Sequence, residues 1–177
     1  MLVALVSAKS LQTLQLLDLT SMHTEHRSVT FIISSHVKQS RPGRKPLKVV
    51  LSEYEPETSL CVHKTLLRYL DMTSTLRGQC TKLFVSFVKS QGPVSKDTLA
   101  RWIKTVMAAS GINVKKFSAH STRAASTSAS LVSKVPVNDI MRAAGWKSEK
   151  KNICSLLQQT DRKGQIHLCR RCFSLQG

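Results

Sequence analysis

The sequence predicts an α+β domain that is mainly helical and carries a small antiparallel β-sheet near its N-terminal half. Many apolar residues recur every three or four positions between residues typical of helix ends, as in amphipathic helices. Two short stretches rich in β-branched residues flank a Pro-Gly turn signal, as in a hairpin. The chain has 177 residues, of which 41% are hydrophobic. This is enough for one domain with its own core.

The residue pattern in the first part of the chain predicts helices followed by a hairpin. Apolar residues from Leu2 to Leu17 bracket a polar stretch at 7–10 and predict helical segments buried on one side. A strand is predicted over 29–33, which is rich in β-branched and aromatic residues, and its partner strand is predicted over 47–51. The segment between them, Lys38-Gln-Ser-Arg-Pro-Gly-Arg-Lys45, is strongly basic. Such a hairpin can lie along a DNA backbone, and the alternative is a solvated turn that happens to be basic.

Three further helices are marked by their end residues. One follows Pro56 and has four leucines and a histidine on one predicted face. Ser95 is the predicted N-cap of a second helix, which Gly111 ends. Pro136 starts a third, which Gly145 ends. These boundaries leave no clear linker, so we expect one domain.

Charge and cysteine content restrict the function. The chain carries 27 Lys and Arg against 10 acidic residues, for a formal net charge of +17. Such an excess favours a polyanionic partner, most commonly nucleic acid. The alternatives are a protein bound to anionic lipid or a merely basic fragment. No apolar run is long enough to span a bilayer, so no membrane partner is expected. Five irregularly spaced cysteines favour a reduced, intracellular protein.

His120 and Arg123 form the most informative short motif. If Ser118 caps a helix here, both side chains share one face. A guanidinium offers a planar fork of donors, and an imidazole can donate or accept a proton near neutral pH, so the pair suits a phosphate. Small residues follow Arg123 and would let the helix pack closely. The alternative is a surface His and Arg on an ordinary amphipathic helix.

Three motifs in order resemble the C-terminal catalytic domain of tyrosine recombinases (phage-type integrases), especially forms carried by animal mobile elements. They are His-Ser-Thr-Arg at 120–123, Ala-Ala-Gly-Trp at 143–146 and Val37-Lys-Gln-Ser-Arg-Pro-Gly-Arg44. The resemblance runs from about Leu2 to Lys150. It implies DNA recombination and DNA integration by phosphotyrosyl strand exchange.

The resemblance also implies roles for individual residues. Lys38 would be the general acid, His120 and Arg123 would stabilise the transition state, and the indole N–H of Trp146 would donate to the phosphate. Without the resemblance, Trp146 could equally cover the end of a core helix. The implied DNA-binding residues are Lys38, Arg41, Arg44, Lys45 and Arg123. The implied partner is DNA, with self-association on it. We expect no cofactor, no metal and no small-molecule substrate.

Two departures from the family pattern argue against strand cleavage. The nucleophilic tyrosine should lie near Leu156, where there is none, so no nucleophile is assigned. The position of the first catalytic arginine falls on Ser10. Lys9 is adjacent and basic, but on a helix it would project about a hundred degrees away. We therefore expect a catalytically inactive DNA-binding domain. The alternatives are a non-catalytic nucleic-acid-binding module or a translated mobile-element remnant without function.

The sequence divides into two parts. Residues 1–151 are expected to form the recombinase-like catalytic domain, without the family's separate N-terminal helical domain. Residues 152–177 form a divergent tail, expected to be disordered or to result from a change of reading frame. Cys169 and Cys172 in that tail form a single Cys-x-x-Cys, which is too weak a signal to predict zinc. We expect the protein to be nuclear.

Overall fold

The computed structural model describes residues 1–33, 46–87 and 92–146. Within these ranges the predicted class, mainly helical α+β with a small antiparallel sheet, is confirmed. The helices and strands, in chain order, are α1 (Leu2–Ser7), α2 (Leu11–Gln15), β1 (Met22–Glu25), β2 (Ser28–Ile33), β3 (Leu47–Ser52), α3 (Val62–Thr73), α4 (Lys96–Ala109), α5 (Ser121–Val132) and α6 (Val137–Ala144). No helix in the described part of the chain is long and apolar enough to cross a membrane.

The sheet has the strand order β1-β2-β3, and both pairings are antiparallel. Val29 pairs with Leu51 and Phe31 with Val49, and all four side chains are buried. The predicted hairpin strands are therefore present. The sequence did not predict β1, because three of its four residues are polar and exposed and give no alternating pattern. The basic segment between β2 and β3 lies outside the described residues.

The central helices follow the predicted pattern on α4, but α3 departs from it in its buried face and in its start, which is at Val62 and not directly after Pro56. On α4, the Ser95 side chain accepts a hydrogen bond from the Thr98 N–H at 3.1 Å and so caps the helix as predicted. On α3, Leu67 was assigned to the apolar face but is 39% exposed. The buried face of α3 instead includes Val62, His63 and Leu66. Leu67 lies about a hundred degrees around the helix from Leu66, which turns it towards solvent.

The last two helices place the candidate site. α5 contacts both α1 and α6. Its buried residues, Thr122, Ala125, Thr127 and Ser128, are small, and small side chains allow helices to approach closely. α6 follows Pro136 directly and ends at Gly145, as predicted. The packing therefore brings the first turn of α5, the segment after α1 and the last turn of α6 together.

Candidate phosphate-binding site

Arg123 and Trp146, both predicted site residues, are in contact. Arg123 lies in the first turn of α5 and is partly buried. Its Nη2 donates a hydrogen bond to the carbonyl of Ala144 at the C-terminal end of α6. Its guanidinium carbon is 5.3 Å from the centre of the Trp146 ring. Both environments favour a planar cation, because the helix C-terminus and the aromatic face are each partially negative.

The backbone after α6 fixes the position of Trp146. Gly145 adopts a left-handed conformation with φ of 68°, which glycine tolerates better than any other residue. Its N–H donates to Arg142 O at 3.1 Å, and the N–H of Trp146 donates to Met141 O at 2.9 Å. Both bonds close the last turn of α6. The Trp146 ring is thereby held directly beside the helix end that receives Arg123.

The structure places His120 differently from the prediction. α5 begins at Ser121 instead of after Ser118, and His120 occupies the N-cap position without a side-chain capping bond. The expected serine cap fails because the N–H of Ser118 donates to Ser121 Oγ at 3.1 Å, so the hydrogen bond runs towards the helix. The His120 side chain is exposed and has no hydrogen bond to any described residue. Its backbone carbonyl accepts from the Arg123 N–H at 3.1 Å.

Lys9, which was not predicted to belong to the site, lies near Arg123. It is 7% exposed, and its ammonium donates a hydrogen bond to the carbonyl of Ala143 on α6. The expectation that Lys9 would project away assumed a continuous helix. Instead, Ala8 takes a left-handed conformation with φ of 51° and ends α1, so Lys9 lies between α1 and α2. Ser10, at the position of the family's first arginine, caps α2 by accepting from the Thr13 N–H at 3.2 Å.

The Lys9 and Arg123 cations form a positively charged pair without an acidic partner. Burial and the nearby Arg123 lower the pKa of Lys9 to about 8. Burial also lowers the pKa of Arg123. Among the described residues, no carboxylate forms an ion pair with either side chain. The Nε of Arg123 is buried and has no hydrogen-bond partner there. An anion would supply both the missing charge and the missing acceptor.

Several predicted residues lie outside the described ranges. These are the hairpin cations Lys38, Arg41, Arg44 and Lys45, together with Leu156 and the Cys-x-x-Cys of the tail. In the ranges that are described, no three His, Cys, Asp or Glu side chains are grouped so as to hold a metal ion.

Tyr69 has a structural role: its hydroxyl accepts a hydrogen bond from the Val85 N–H at 3.1 Å, and its ring contacts Phe84.

The sequence matches no known family profile and no curated protein. Its structure is similar to several crystal structures of recombinases, among them the following three. XerH site-specific recombinase bound to difH substrate, a pre-cleavage complex, aligns with a TM-score of 0.65 and 14% identity over 85% of this chain and 40% of that one. XerA recombinase aligns with a TM-score of 0.64 and 21% identity, over 90% of this chain and 54% of that one. XerH bound to palindromic difH substrate, a post-cleavage complex, aligns with a TM-score of 0.68 and 14% identity, over 91% of this chain and 41% of that one.

The chain thus spans between 40% and 54% of the length of these recombinases. At such low identity the comparison establishes the fold. The resemblance predicted from three short motifs is confirmed at that level: the described residues have a tyrosine recombinase-like fold.

Proposed function

Starting from this tyrosine recombinase-like fold, we propose that the chain is a DNA-binding domain that holds a backbone phosphate without cleaving it. The observation that carries the proposal is the arrangement of Arg123, with its Nε buried and unpaired, beside Lys9 and Trp146. Two of the similar structures are recombinases bound to their difH substrates, which supports a nucleic-acid partner.

A phosphate oxygen at Arg123 would complete the site. Nη2 of Arg123 already donates to Ala144, and Nε is the buried donor of this guanidinium that lacks an acceptor. Burying a polar donor without a partner costs roughly 1–3 kcal/mol, and a bound phosphate would remove that cost. Trp146 covers the face of the guanidinium and would limit approach to its edge. Within this proposal, the indole N–H of Trp146 and the exposed imidazole of His120 are further donors to the same anion.

The rest of the interface would be electrostatic. The proposed contacts in the hairpin are Lys38, Arg41, Arg44 and Lys45, all of which follow β2 in the sequence. Binding at a net charge of +17 would release condensed counterions, so affinity should fall steeply with salt. We place the protein in the nucleus and include self-association on DNA in the proposal.

The proposed lack of cleavage is based on the sequence. Covalent strand exchange requires a nucleophile, and the tyrosine that the family resemblance implies near Leu156 is not there. The serine at the position of the first family arginine is used as the cap of α2. A second candidate is a nucleic-acid-binding module that uses its net charge without a specific phosphate site. The net charge of +17 favours this alternative, which predicts that all surface cations contribute similarly.

Binding of a fluorescent DNA duplex at 50 and 200 mM salt tests the proposal. The variants are Arg123→Ala and, as a control that removes the same charge, Arg142→Ala on the exposed side of α6. We expect Arg123→Ala to weaken binding about tenfold at low salt, because it removes a charge-assisted hydrogen bond. Arg142→Ala should have only the small effect of one lost surface charge.

Equal losses in the two variants would favour the second candidate over a specific site. No binding of the wild-type chain at low salt would exclude both and leave the mobile-element remnant. The same protein should form no covalent product with a nicked suicide substrate, and a covalent protein–DNA species would contradict the proposed inactivity.

A further inference from the structure

We propose that Lys9 takes up a proton when a phosphate occupies the site, so that anion binding by this protein is coupled to protonation of Lys9. The inference rests on the proposed function, since it assigns a regulation to the same phosphate site. It does not require Lys9 to touch the anion, because the side chain is buried and already bonded to α6.

The geometry places two cations on one helix end. Lys9 donates to the carbonyl of Ala143, and Arg123 donates to the next carbonyl, that of Ala144. A helix C-terminus carries the equivalent of about half a negative charge, which is less than the two positive charges it receives. One cation is therefore undercompensated. A guanidinium holds its proton far above neutral pH, so Lys9 is the member of the pair that can release one.

Neighbouring groups do not remove this excess. Arg123 is the charged group that acts on Lys9, and it adds to the effect of burial in lowering the Lys9 pKa to about 8. The charged side chains of the elements that pack against α1 and α5 are exposed; they are Lys48 of β3, Lys64, Arg68 and Asp71 of α3, and Asp139 and Arg142 of α6. The amino group of Met1, which precedes α1, is a further cation, and burial lowers its pKa. Asp139 pairs with Arg142 at 3.2 Å. His63 on α3 is buried and has no hydrogen-bond partner in the described part of the chain.

An anion at Arg123 changes this balance. A negative charge nearby favours the protonated ammonium and raises the pKa of Lys9 from its value in the free protein. Because protonation and anion binding stabilise each other, affinity must fall as the pH rises through the range in which free Lys9 loses its proton. For one linked proton the expected loss is about tenfold between pH 7 and pH 9.

The first test compares wild type, Lys9→Met and Lys9→Arg for binding of the same short DNA duplex at pH 7 and pH 9 and constant salt. Wild type should lose about tenfold in affinity over this interval. Lys9→Met removes the titrating group, and Lys9→Arg keeps its charge at both pH values, so neither should show that loss. Equal pH dependence in wild type and both variants would overturn the proposal. Circular dichroism checks whether each variant folds. If Lys9→Met does not fold, the pH dependence of DNA binding by Lys9→Arg, compared with that of wild type, still tests the proposal.

The second test does not depend on DNA binding. NMR of the wild-type chain with ¹³Cε-labelled lysine, assigned through Lys9→Arg, follows the Lys9 titration without and with dimethyl phosphate at saturating concentration. This phosphodiester does not itself titrate in the range used. Lys9 should lose its proton near pH 8 in the free protein, and at a higher pH when the probe is bound. A titration curve that the probe leaves unchanged would overturn the coupling. Failure of the proposed function alone would instead appear as absent DNA binding with the Lys9 shift intact.

Discussion

The guanidinium carbon of Arg123 lies 5.3 Å from the centre of the Trp146 ring, while Nη2 of the same side chain donates to the backbone of α6. The contact joins the start of α5 to the segment just after α6. A ring over the guanidinium restricts its motion and covers one of its faces. Two of the residues that the sequence motifs singled out therefore form a single structural unit.

Substitution of Trp146 separates its ring from its N–H group. Trp146→Phe keeps an aromatic face over Arg123 but removes the indole donor, so we expect near-unchanged stability and about tenfold weaker DNA binding. Trp146→Ala should also lower the free energy of unfolding by about 1–3 kcal/mol, since it removes the partly buried ring. Urea unfolding and duplex binding measure the two effects. Trp102→Phe on α4 is the control. If Trp146→Phe binds DNA with the affinity of wild type, the indole N–H of Trp146 does not contribute to the proposed site.

The stability of the free protein should rise between pH 7 and pH 9. The pKa of Lys9 is lower in the folded chain, about 8, than its ordinary value of 10.5. The unfolded chain therefore binds the Lys9 proton more tightly, and folding becomes more favourable as that proton is lost. We expect the free energy of unfolding of wild type to increase by about 1 kcal/mol relative to Lys9→Met over this interval. Parallel pH profiles for the two proteins would contradict the assigned environment of Lys9.

Gly145→Ala should weaken both the fold and DNA binding. With φ of 68°, an alanine at this position costs about 1 kcal/mol, and any shift of the helix end displaces the carbonyls that hold Lys9 and Arg123. Gly78→Ala is a matched control. Gly78 also has a positive φ, 49°, and an added Cβ would meet nothing within 4 Å. The control should cost similar stability in urea unfolding and leave DNA affinity unchanged. If Gly145→Ala and Gly78→Ala bind DNA with equal affinity, the position of the α6 end does not contribute to DNA binding.

Ser10→Ala should affect stability without affecting DNA binding. The Ser10 side chain caps α2 through the Thr13 N–H, and loss of an N-cap costs about 1 kcal/mol. Ser95→Ala on α4 removes the same kind of cap, bonded to Thr98 at 3.1 Å. The two variants should lower the free energy of unfolding similarly in urea titrations. A loss of DNA affinity confined to Ser10→Ala would instead assign Ser10 to the phosphate site.

Residue patterns were sufficient where the structure depends on near neighbours. The Ser95 cap of α4 and the Gly145 end of α6 both follow from contacts within a few positions, and the residue composition of 29–33 was enough to predict β2. β1 was missed because its exposed polar residues form a strand only by pairing with β2. The start of α5 was placed too early because Ser121, not Ser118, provides the side-chain oxygen used there.

By itself, the sequence determined the mainly helical class, most element ends, the excess of positive charge and the motif that contains Arg123 and Trp146. Only the tertiary structure decided that Lys9 belongs beside them. Lys9 and Ala143 are separated by 134 positions, and their contact depends on how α1, α5 and α6 pack. A helical periodicity describes which side of one segment is buried, but it carries no information on which charges from distant segments will meet.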